Sequence, residues 1–273
     1  MLTYFKNIFE NFIFFSMLKK IMLSSHIEEI FSLDFFSSIG RPKIFEIKEK
    51  SRVLIFSPHP DDEVIGMGGA LLMELERNSE ISILYCTPKK EDERYNEAKK
   101  LCKNISVSPF FLECRDKEIQ ISEATKGQVK KLIKNCNPNK IYLPLFCDSH
   151  DDHKRTNELL WRSLKTMDLS KDLEIFSYQV YSFVPANFVL DITNKIENKK
   201  KLMSFYKSEN MKRNWPHWNS GMNAYLSRFL KSSSQKKYAE TFIKLNKSTF
   251  ESLCSRFFRK KKNLFITIRI IFD

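Results

Sequence analysis

The feature that most constrains the fold of this chain is an alternation of apolar runs and amphipathic segments that begins at Arg52. Runs typical of buried strands cover residues 53–56, 81–86, 110–113 and 140–145. Apolar residues recur at helical spacing over residues 64–77, 91–103, 123–135 and 154–167. Strand–helix–strand repetition predicts a parallel sheet with crossover helices. We therefore expect an α/β fold with a mainly parallel sheet and helices on both faces.

The remaining segments give weaker patterns. Residues 1–50 carry apolar side chains at helical spacing and are predicted to form an N-terminal helical extension. Residues 51–250 are predicted to form one catalytic domain, and 251–273 a basic and apolar tail. Within that domain we expect an extended segment at 174–183 and a lysine-rich helix at 195–207. A loop at 208–222 and a short helix at 238–245 complete the assignment.

Charge and cysteine usage limit the partners and the compartment. The formal net charge is +13, but the lysines are spread along the chain, which makes nucleic acid an unlikely partner. An anionic surface fits better, so peripheral association with a membrane stays open. The six cysteines contain no CxxC pair, and no apolar run approaches the roughly 20 residues of a membrane span. We expect a cytoplasmic protein, with the inner face of the membrane as an alternative location.

Two polar clusters follow predicted strands. The first runs from Ser57 to Gly69 and contains a histidine and three consecutive acidic residues. The second runs from Cys147 to His153. In an open parallel sheet, ligands bind outside the carboxyl ends of the strands, and both clusters fall there. The first cluster also contains Gly66, Gly68 and Gly69, which we assign to close packing because the Lys-Ser/Thr pair of a phosphate-binding loop is missing.

These clusters have the composition of a metal site. Three of the chain's five histidines lie in them, each beside aspartates. A catalytic zinc takes three protein ligands and leaves a position open for water. His59, Asp62 and His153 can supply two imidazoles and a carboxylate. The same ligand types also form the iron site of oxygenases, an alternative that dependence on oxygen and a 2-oxo acid would reveal.

The other polar residues of the clusters suggest catalytic roles. Asp61 could accept a proton from water, and His150 could protonate a leaving group. Asp152 could hold an imidazole in one tautomer. Asp151 has no predicted role and is interpreted as a solvated loop residue.

Together these motifs resemble the PIG-L/LmbE-like family of zinc-dependent N-acetylglucosamine deacetylases. The resemblance rests on the string from Pro58 to Glu63 with its glycine-rich continuation, and on the later His150-x-Asp152-His153. It extends from about Arg52 to Lys207, and residues 238–242 are similar to a tail element of bacterial members. The chain departs from the family in the length that precedes the first strand and in Asp151, where proline is common.

The resemblance implies a Rossmann-like three-layer sandwich and a deacetylase-like catalytic domain. It implies Zn²⁺ bound by His59, Asp62 and His153, with Asp61 as general base and His150 as acid or electrostatic partner. The substrate would be an N-acetylated amino sugar, either a small molecule or a glycolipid. Arg94 falls where the family has an arginine near the substrate, although a surface ion pair with Glu97 is an equal interpretation.

Further substrate contacts are predicted less directly. Trp215 and His217 could line the sugar site, since aromatic faces suit the apolar side of a pyranose; packing within a loop is the alternative. A hydrolase of a different amide and a non-catalytic module that binds anionic surfaces also stay open.

Overall fold

The computed structural model describes residues 42–168, 172–182, 186–231 and 235–258. The strands are β1 (Lys43–Phe45), β2 (Arg52–Ser57), β3 (Glu80–Tyr85), β4 (Ser108–Phe111), β5 (Lys140–Pro144), β6 (Glu174–Tyr178), β7 (Phe188–Asp191) and β8 (Ala239–Asn246). The helices are α1 (Asp62–Glu76), α2 (Glu93–Asn104), α3 (Glu123–Cys136), α4 (Asp151–Leu164), α5 (Ile196–Met203), α6 (Lys207–Asn210), α7 (Trp215–Leu226) and α8 (residues 247–258).

The strands form one mixed sheet in the order β1-β7-β8-β6-β5-β2-β3-β4. Every neighbouring pair is parallel except the two pairs made by β8, which runs antiparallel to β6 and β7. Strand β2 carries buried side chains on both faces of the sheet, as expected for a strand covered by helices on both sides. The predicted α/β fold with a mainly parallel sheet is confirmed.

The predicted domain boundaries are only partly covered by the described residues. Residues 1–41 and 259–273 lie outside them, so the N-terminal helical extension and most of the C-terminal tail stay predictions. Within the predicted extension, β1 pairs with β7 at the edge of the sheet. Within the predicted tail, residues 251–258 continue helix α8. Among the described residues, no helix combines the length and the apolarity that crossing a bilayer requires.

The loop predicted at residues 208–222 is wrong. Helix α7 begins at Trp215, with Pro216 in its first turn and the Asn214 side chain accepting a hydrogen bond from the backbone N–H of His217. Proline is tolerated at that position because its missing N–H would have no helical partner. The sequence interpretation took Pro216 and Gly221 as loop residues, whereas they lie within a helix whose buried face packs on the sheet.

The short helix predicted at residues 238–245 is also wrong, because Ala239–Asn246 is strand β8. The strand lies between β6 and β7, and its first five residues are all buried. A strand buried on both faces has no alternation of polar and apolar residues, so its pattern cannot be distinguished from that of a buried helix.

Helix α1 is interrupted at Met67, whose φ of −144° and ψ of 25° are not helical. The interruption leaves backbone groups without helical partners, and buried side chains bind them. The carbonyl of Ile65 accepts hydrogen bonds from Lys199 Nζ and from Asn219 Nδ2, each at 2.9 Å. The N–H groups of Gly69 and Ala70 donate to the two carboxylate oxygens of one side chain on β8, that of Glu240.

The buried Lys199 ammonium also contacts Glu240, at 2.7 Å, and Asn223, at 3.1 Å. Lys199 and Glu240 are 0% and 1% exposed, so the pair is shielded from water. A buried charge is tolerated when it is paired and fully hydrogen-bonded. These contacts tie α5, α7 and β8 to the interruption in α1.

The glycines of α1 lie against other elements too closely for a side chain. A Cβ atom at Gly66 would lie 2.1 Å from Cδ2 of Tyr178, whose hydroxyl donates to the carbonyl of Phe56. A Cβ at Gly69 would lie 2.4 Å from Cγ2 of Ile192. The assignment of these glycines to close packing is confirmed.

We expect Gly66→Ala to lower the free energy of unfolding by about 1–3 kcal/mol, because the added methyl group overlaps a tyrosine ring fixed by its hydrogen bond. The matched control is Gly127→Ala in α3, where a Cβ would meet nothing within 4 Å. That substitution should raise stability by about 0.5–1 kcal/mol. Urea unfolding midpoints measure both, and equal shifts of the same sign would contradict the packing argument.

Candidate active site

The site lies at the carboxyl ends of the central strands. His59 follows β2, Asp62 begins α1, and His150 to His153 form the first turn of α4 after β5. The ring centroids of His59 and His153 are 5.6 Å apart, and those of His59 and His150 are 4.7 Å apart. The fold therefore brings the two polar clusters together, as the sequence predicts.

One carboxylate oxygen of Asp62 lies between the two imidazoles. Its Oδ2 is 3.1 Å from Nδ1 of His59 and 3.2 Å from Nε2 of His153. The same Oδ2 accepts the backbone N–H of His59 at 2.9 Å. The three predicted metal ligands are thus adjacent to one another. Asp62, which lies between the two histidines, is only 1% exposed.

The other nitrogen of His59 faces two further carboxylates. Its Nε2 lies 2.9 Å from Oδ2 of Asp152 and 2.9 Å from Oδ1 of Asp116. The backbone N–H of Lys117 donates to the same Asp152 oxygen at 2.7 Å. Asp152 therefore makes the contact that its predicted role, holding an imidazole in one orientation, requires. The pKa of His59 is raised because its contacts with Asp116, Asp152 and Asp62 outweigh the effect of burial.

His153 is fully buried, and both of its ring nitrogens lack a hydrogen-bond partner of good geometry. Buried polar atoms are normally satisfied, so such atoms indicate a missing partner. Nδ1 lies 3.5 Å from Asp148, and the nearby Asp62 and Asp148 carboxylates raise the pKa of His153 to about 9 against the opposing effect of burial. The surroundings thus stabilise positive charge, which is what a divalent cation would supply.

Two groups of side chains place their ligand atoms within 4.8 Å of one another. One consists of His59, His150 and His153, and the other of His59, Asp116 and Asp152. Both contain His59, and neither contains Asp62. The residue types fit a divalent cation at this cluster, while the ligand set His59, Asp62 and His153 stays a prediction.

Asp61 has a strained backbone. Its φ is 117°, a region that residues with a Cβ rarely adopt, and it precedes the first residue of α1. Its N–H donates to the Glu63 carboxylate at 3.2 Å. Burial, and then the charge of Asp62, raise the pKa of Asp61 well above its usual range. A carboxylate with a raised pKa is a better proton acceptor, which suits the predicted general base.

Glu63 is the hub of a second buried network. Its carboxylate accepts hydrogen bonds from the hydroxyls of Ser57, at 2.8 Å, and Tyr85, at 3.2 Å, and also from the hydroxyl of Tyr206. Because the same carboxylate accepts the N–H of Asp61, the network fixes the strained turn. Glu63 therefore supports the turn and the start of the helix.

His150 lies at the open side of the cluster. Its Nδ1 accepts the backbone N–H of Asp152 at 3.2 Å, so a neutral ring carries its proton on Nε2. Burial, and then the neighbouring His59 and His153, lower the pKa of His150. A neutral ring in this arrangement can donate through Nε2, and the role of His150 as acid or electrostatic partner stays a prediction.

A cavity of about 200 Å³ opens above these residues. The side chains that line it are His59, Asp61, Arg94, Asp116, His150, Tyr181, Glu209, Lys212, Arg213 and Trp215. The predicted substrate residues Arg94 and Trp215 are among them. His217 is not, since its side chain lies exposed on α7.

Arg94 does not form the surface ion pair with Glu97. Its Nη2 donates to the carbonyl of Pro60 at 3.0 Å and lies 3.5 Å from Oδ1 of Asp61. Glu97 instead accepts hydrogen bonds from the backbone and hydroxyl of Ser208. The arginine thus holds the turn that carries Asp61, and it reaches the cavity from α2.

Three residues of the site were missed from the sequence. Asp116 follows β4 and contacts His59, while Tyr181 follows β6 and stacks on His150 with ring centroids 5.7 Å apart. Asp148 received no role, yet its carboxylate accepts the N–H groups of His150, Tyr181 and Ser182. The rule that ligands bind at the carboxyl ends of parallel strands, applied to β4 and β6, would have indicated Asp116 and Tyr181.

We expect Asp61→Gly to be more stable than Asp61→Ala by about 1–3 kcal/mol, because glycine adopts a positive φ without the steric penalty of a Cβ. Both substitutions remove the same carboxylate, so the comparison isolates backbone strain. Urea unfolding of the two variants tests it. Equal midpoints would mean that the turn at Asp61 is not strained.

Comparisons with known proteins agree with this geometry. A family model described as PIG-L, GlcNAc-PI de-N-acetylase, matches residues 54–164. The matched region contains all the predicted catalytic and metal-ligating residues. The resemblance predicted from the two motifs is confirmed.

A short match to a curated protein adds little. A putative glucosamine-6-phosphate deaminase-like protein of Bacteroides thetaiotaomicron is 56% identical over 36 residues. The match covers 13% of this chain and only 5% of the length of that protein.

Solved structures share the fold. The N,N'-diacetylchitobiose deacetylase from Pyrococcus horikoshii is 20% identical, with a TM-score of 0.60 over 73% of this chain and 86% of its own. The conserved protein TT1542 from Thermus thermophilus is also 20% identical, with a TM-score of 0.59 over 70% and 93%. GalB, a 4-carboxy-2-hydroxymuconate hydratase from Pseudomonas putida, is 14% identical, with a TM-score of 0.59 over 73% and 96%. The fold therefore occurs with more than one chemistry.

Proposed function

We propose, from the PIG-L family match of residues 54–164 and the chemistry of the site, that this chain is a metal-dependent hydrolase. It removes the acetyl group from an N-acetylated amino sugar. The observation that carries the proposal is the buried cluster in which Asp62 lies between His59 and His153, beside a carboxylate with a raised pKa. The description of the family as a de-N-acetylase supports the choice of an acetamide as the scissile group.

The metal in this proposal is Zn²⁺, held by His59, Asp62 and His153. Two imidazoles and a carboxylate are a usual ligand set of catalytic zinc, and such sites keep a position for water. A bound zinc ion would polarise the acetamide carbonyl and lower the pKa of water towards about 7. Asp152 and Asp116 hold His59 through its other nitrogen, as carboxylates commonly do for ligating histidines.

The chain's own residues carry the proton transfers. Asp61 accepts a proton from the water that attacks the carbonyl carbon. His150, with its proton on Nε2, donates a hydrogen bond to the oxyanion that develops at that carbon. As the C–N bond breaks, Asp61 returns its proton to the nitrogen, which gives acetic acid and the free amine; the acid then loses its remaining proton, which the amine takes up, so that acetate and the ammonium form leave. Burial raises the pKa of Asp61 and brings it closer to the pKa of the attacking water and of the leaving amine. Both proton transfers are favoured by that match.

The direct test is acetate release from a panel of N-acetylated substrates with zinc present. The panel includes N-acetylglucosamine, its oligosaccharides, N-acetylated sugar nucleotides and glycolipids. Release from at least one amino sugar is expected. Bound metal with no release from any amino sugar would point to a different amide.

A non-catalytic module that binds anionic surfaces is the competing function. Such a module needs neither orphaned nitrogens on a buried histidine nor a strained acidic residue beside it. Binding to anions that survives the loss of both His59 and Asp62, combined with no hydrolysis by the unaltered chain, would favour it.

We expect Asp61→Ala to reduce turnover by a factor of about 100 or more while the bound metal content stays the same. The substitution removes the proton acceptor and leaves the predicted ligands in place. The control is Asp151→Asn, which changes an exposed carboxylate paired with Lys154 in the same site region. Near-normal turnover of Asp61→Ala with metal retained would exclude Asp61 as the base.

We expect Asp148→Asn to weaken zinc binding about 10–100-fold, because the carboxylate lies beside Nδ1 of His153 and is held by three backbone N–H groups. Competition with a chromogenic chelator measures the affinity without any substrate. Asp151→Asn again provides the matched control. An unchanged affinity would show that Asp148 does not orient the ligand.

A further inference from the structure

Several exposed apolar side chains lie in one segment that also contributes to the cavity of the site. Of the described residues, the large apolar side chains that are exposed are Ile44, Phe110, Tyr181, Met211, Trp218 and Tyr225. The last three lie within the segment 207–231, which we call the rim segment. Tyr181 lines the cavity above His59 and His150. Met211 is 88% exposed, Trp218 53% and Tyr225 54%. Such clustering is unusual for a surface that faces only water.

The aromatic side chains of the rim segment share one face of α7. Trp218 and Tyr225 are seven residues apart, which is close to two helical turns, so both project from the same side. The neighbouring side of the helix, about a quarter turn away, packs inward through Trp215, Asn219 and Leu226. Helix α7 is therefore amphipathic, with an exposed aromatic outer face.

The rim segment is also strongly basic. It contains five basic residues and one acidic residue: Lys207, Lys212, Arg213, Arg228, Lys231 and Glu209. Glu209 accepts from Lys212 at 2.8 Å, and the guanidinium of Arg228 lies 3.9 Å from the ring of Tyr225. Cations beside exposed tryptophan and tyrosine are the composition of helices that lie in a lipid–water interface.

The rim segment joins directly to the cavity of the site. Glu209, Lys212, Arg213 and Trp215 line that cavity, and Trp215 contacts Trp218 with ring centroids 5.6 Å apart. A flat partner that covers the outer face of α7 would thus lie beside the opening to His59 and His150.

We propose that the rim segment docks the protein on an anionic lipid membrane, with Met211, Trp218 and Tyr225 entering the interface and Arg213 and Arg228 contacting acidic headgroups. Docking brings the opening of the site to the membrane surface, where a substrate attached to a lipid could enter. Trp218 and Tyr225 have rings that suit a membrane interface or a nucleic-acid base, but Met211, the most exposed of the three, offers apolar surface and no ring, which favours the membrane. The proposal concerns binding and does not depend on the hydrolytic activity.

The first experiment is flotation of the full chain with vesicles in the absence of substrate. Vesicles of phosphatidylcholine alone are compared with an equimolar mixture of phosphatidylcholine and phosphatidylglycerol. The unaltered chain should float with the acidic vesicles. The combined substitution of Met211, Trp218 and Tyr225 by serine should reduce the partition coefficient about tenfold or more. Arg213→Gln with Arg228→Gln should reduce it about tenfold on acidic vesicles only.

The matched control is Ile44→Ser with Phe110→Ser, which removes the exposed apolar side chains on β1 and β4 at the two edges of the sheet. This variant should partition like the unaltered chain. Equal partitioning of the serine variant of the rim segment and the control, or no flotation of the unaltered chain, would overturn the proposal.

Tryptophan fluorescence gives a second, less disruptive readout. Trp161 and Trp215 are 2% and 8% exposed, whereas Trp218 is 53% exposed, so the main change of tryptophan surroundings on docking is expected at Trp218. A shift of emission to shorter wavelength on acidic vesicles, absent in Trp218→Phe, is expected. A shift that persists in Trp218→Phe would overturn the proposal. The proposal would also be overturned if a single-stranded oligonucleotide displaced the vesicles and if the same rim substitutions abolished oligonucleotide binding. The surface would then be a nucleic-acid-binding site.

Discussion

Four carboxylates contact two buried imidazoles, and the rest of the site depends on this concentration of negative charge. His59 touches Asp62, Asp116 and Asp152, while His153 lies beside Asp62 and Asp148. Without a cation, such a cluster binds protons instead, which is why the pKa values of both histidines are raised. Burial raises the pKa of Asp61, and the charge of Asp62 raises it further, so the carboxylate between the two imidazoles also acts on the predicted base.

Hydrogen bonds at the interruption of α1, away from the cluster itself, help to hold the helical segment that carries Asp62. Asp62 lies in the short helical segment before Met67, and this segment is anchored by buried polar groups rather than by a continuous helix. Lys199 and Asn219 bind its last free carbonyl, while Glu240 binds the first free amides beyond. On the other side, Glu63 fixes the turn through Ser57, Tyr85 and Tyr206. Rigid support from two sides is what a site needs to hold its reacting groups in place.

The sequence was sufficient for the parts of the fold and site that depend on local pattern. The strands and helices between Arg52 and Leu164 follow from apolar periodicity, and the meeting of His59 with His153 follows from the rule for strand ends in parallel sheets. Strand β8 could not be recognised because burial on both faces removes the alternation that marks a strand. Helix α7 was hidden by Pro216 and Gly221, whose local preferences are overridden by packing of Trp215 and Leu226. Asp116 belongs to no motif, and only its position after the carboxyl end of β4 connects it with the site.

The place of β8 in the sheet has a consequence for how the molecule is made. Among the described residues, strands β1 and β7 join the rest of the sheet through β8 alone, which lies between β7 and β6. A nascent chain that has emerged only as far as β7 must therefore leave the edge of β6 unpaired, and it cannot attach the β1–β7 pair to the larger group. Residues 239–246 thus complete the sheet late during synthesis from the N-terminus. Since Glu240 belongs to that strand, its hydrogen bonds to Gly69 and Ala70 are absent until β8 has been made.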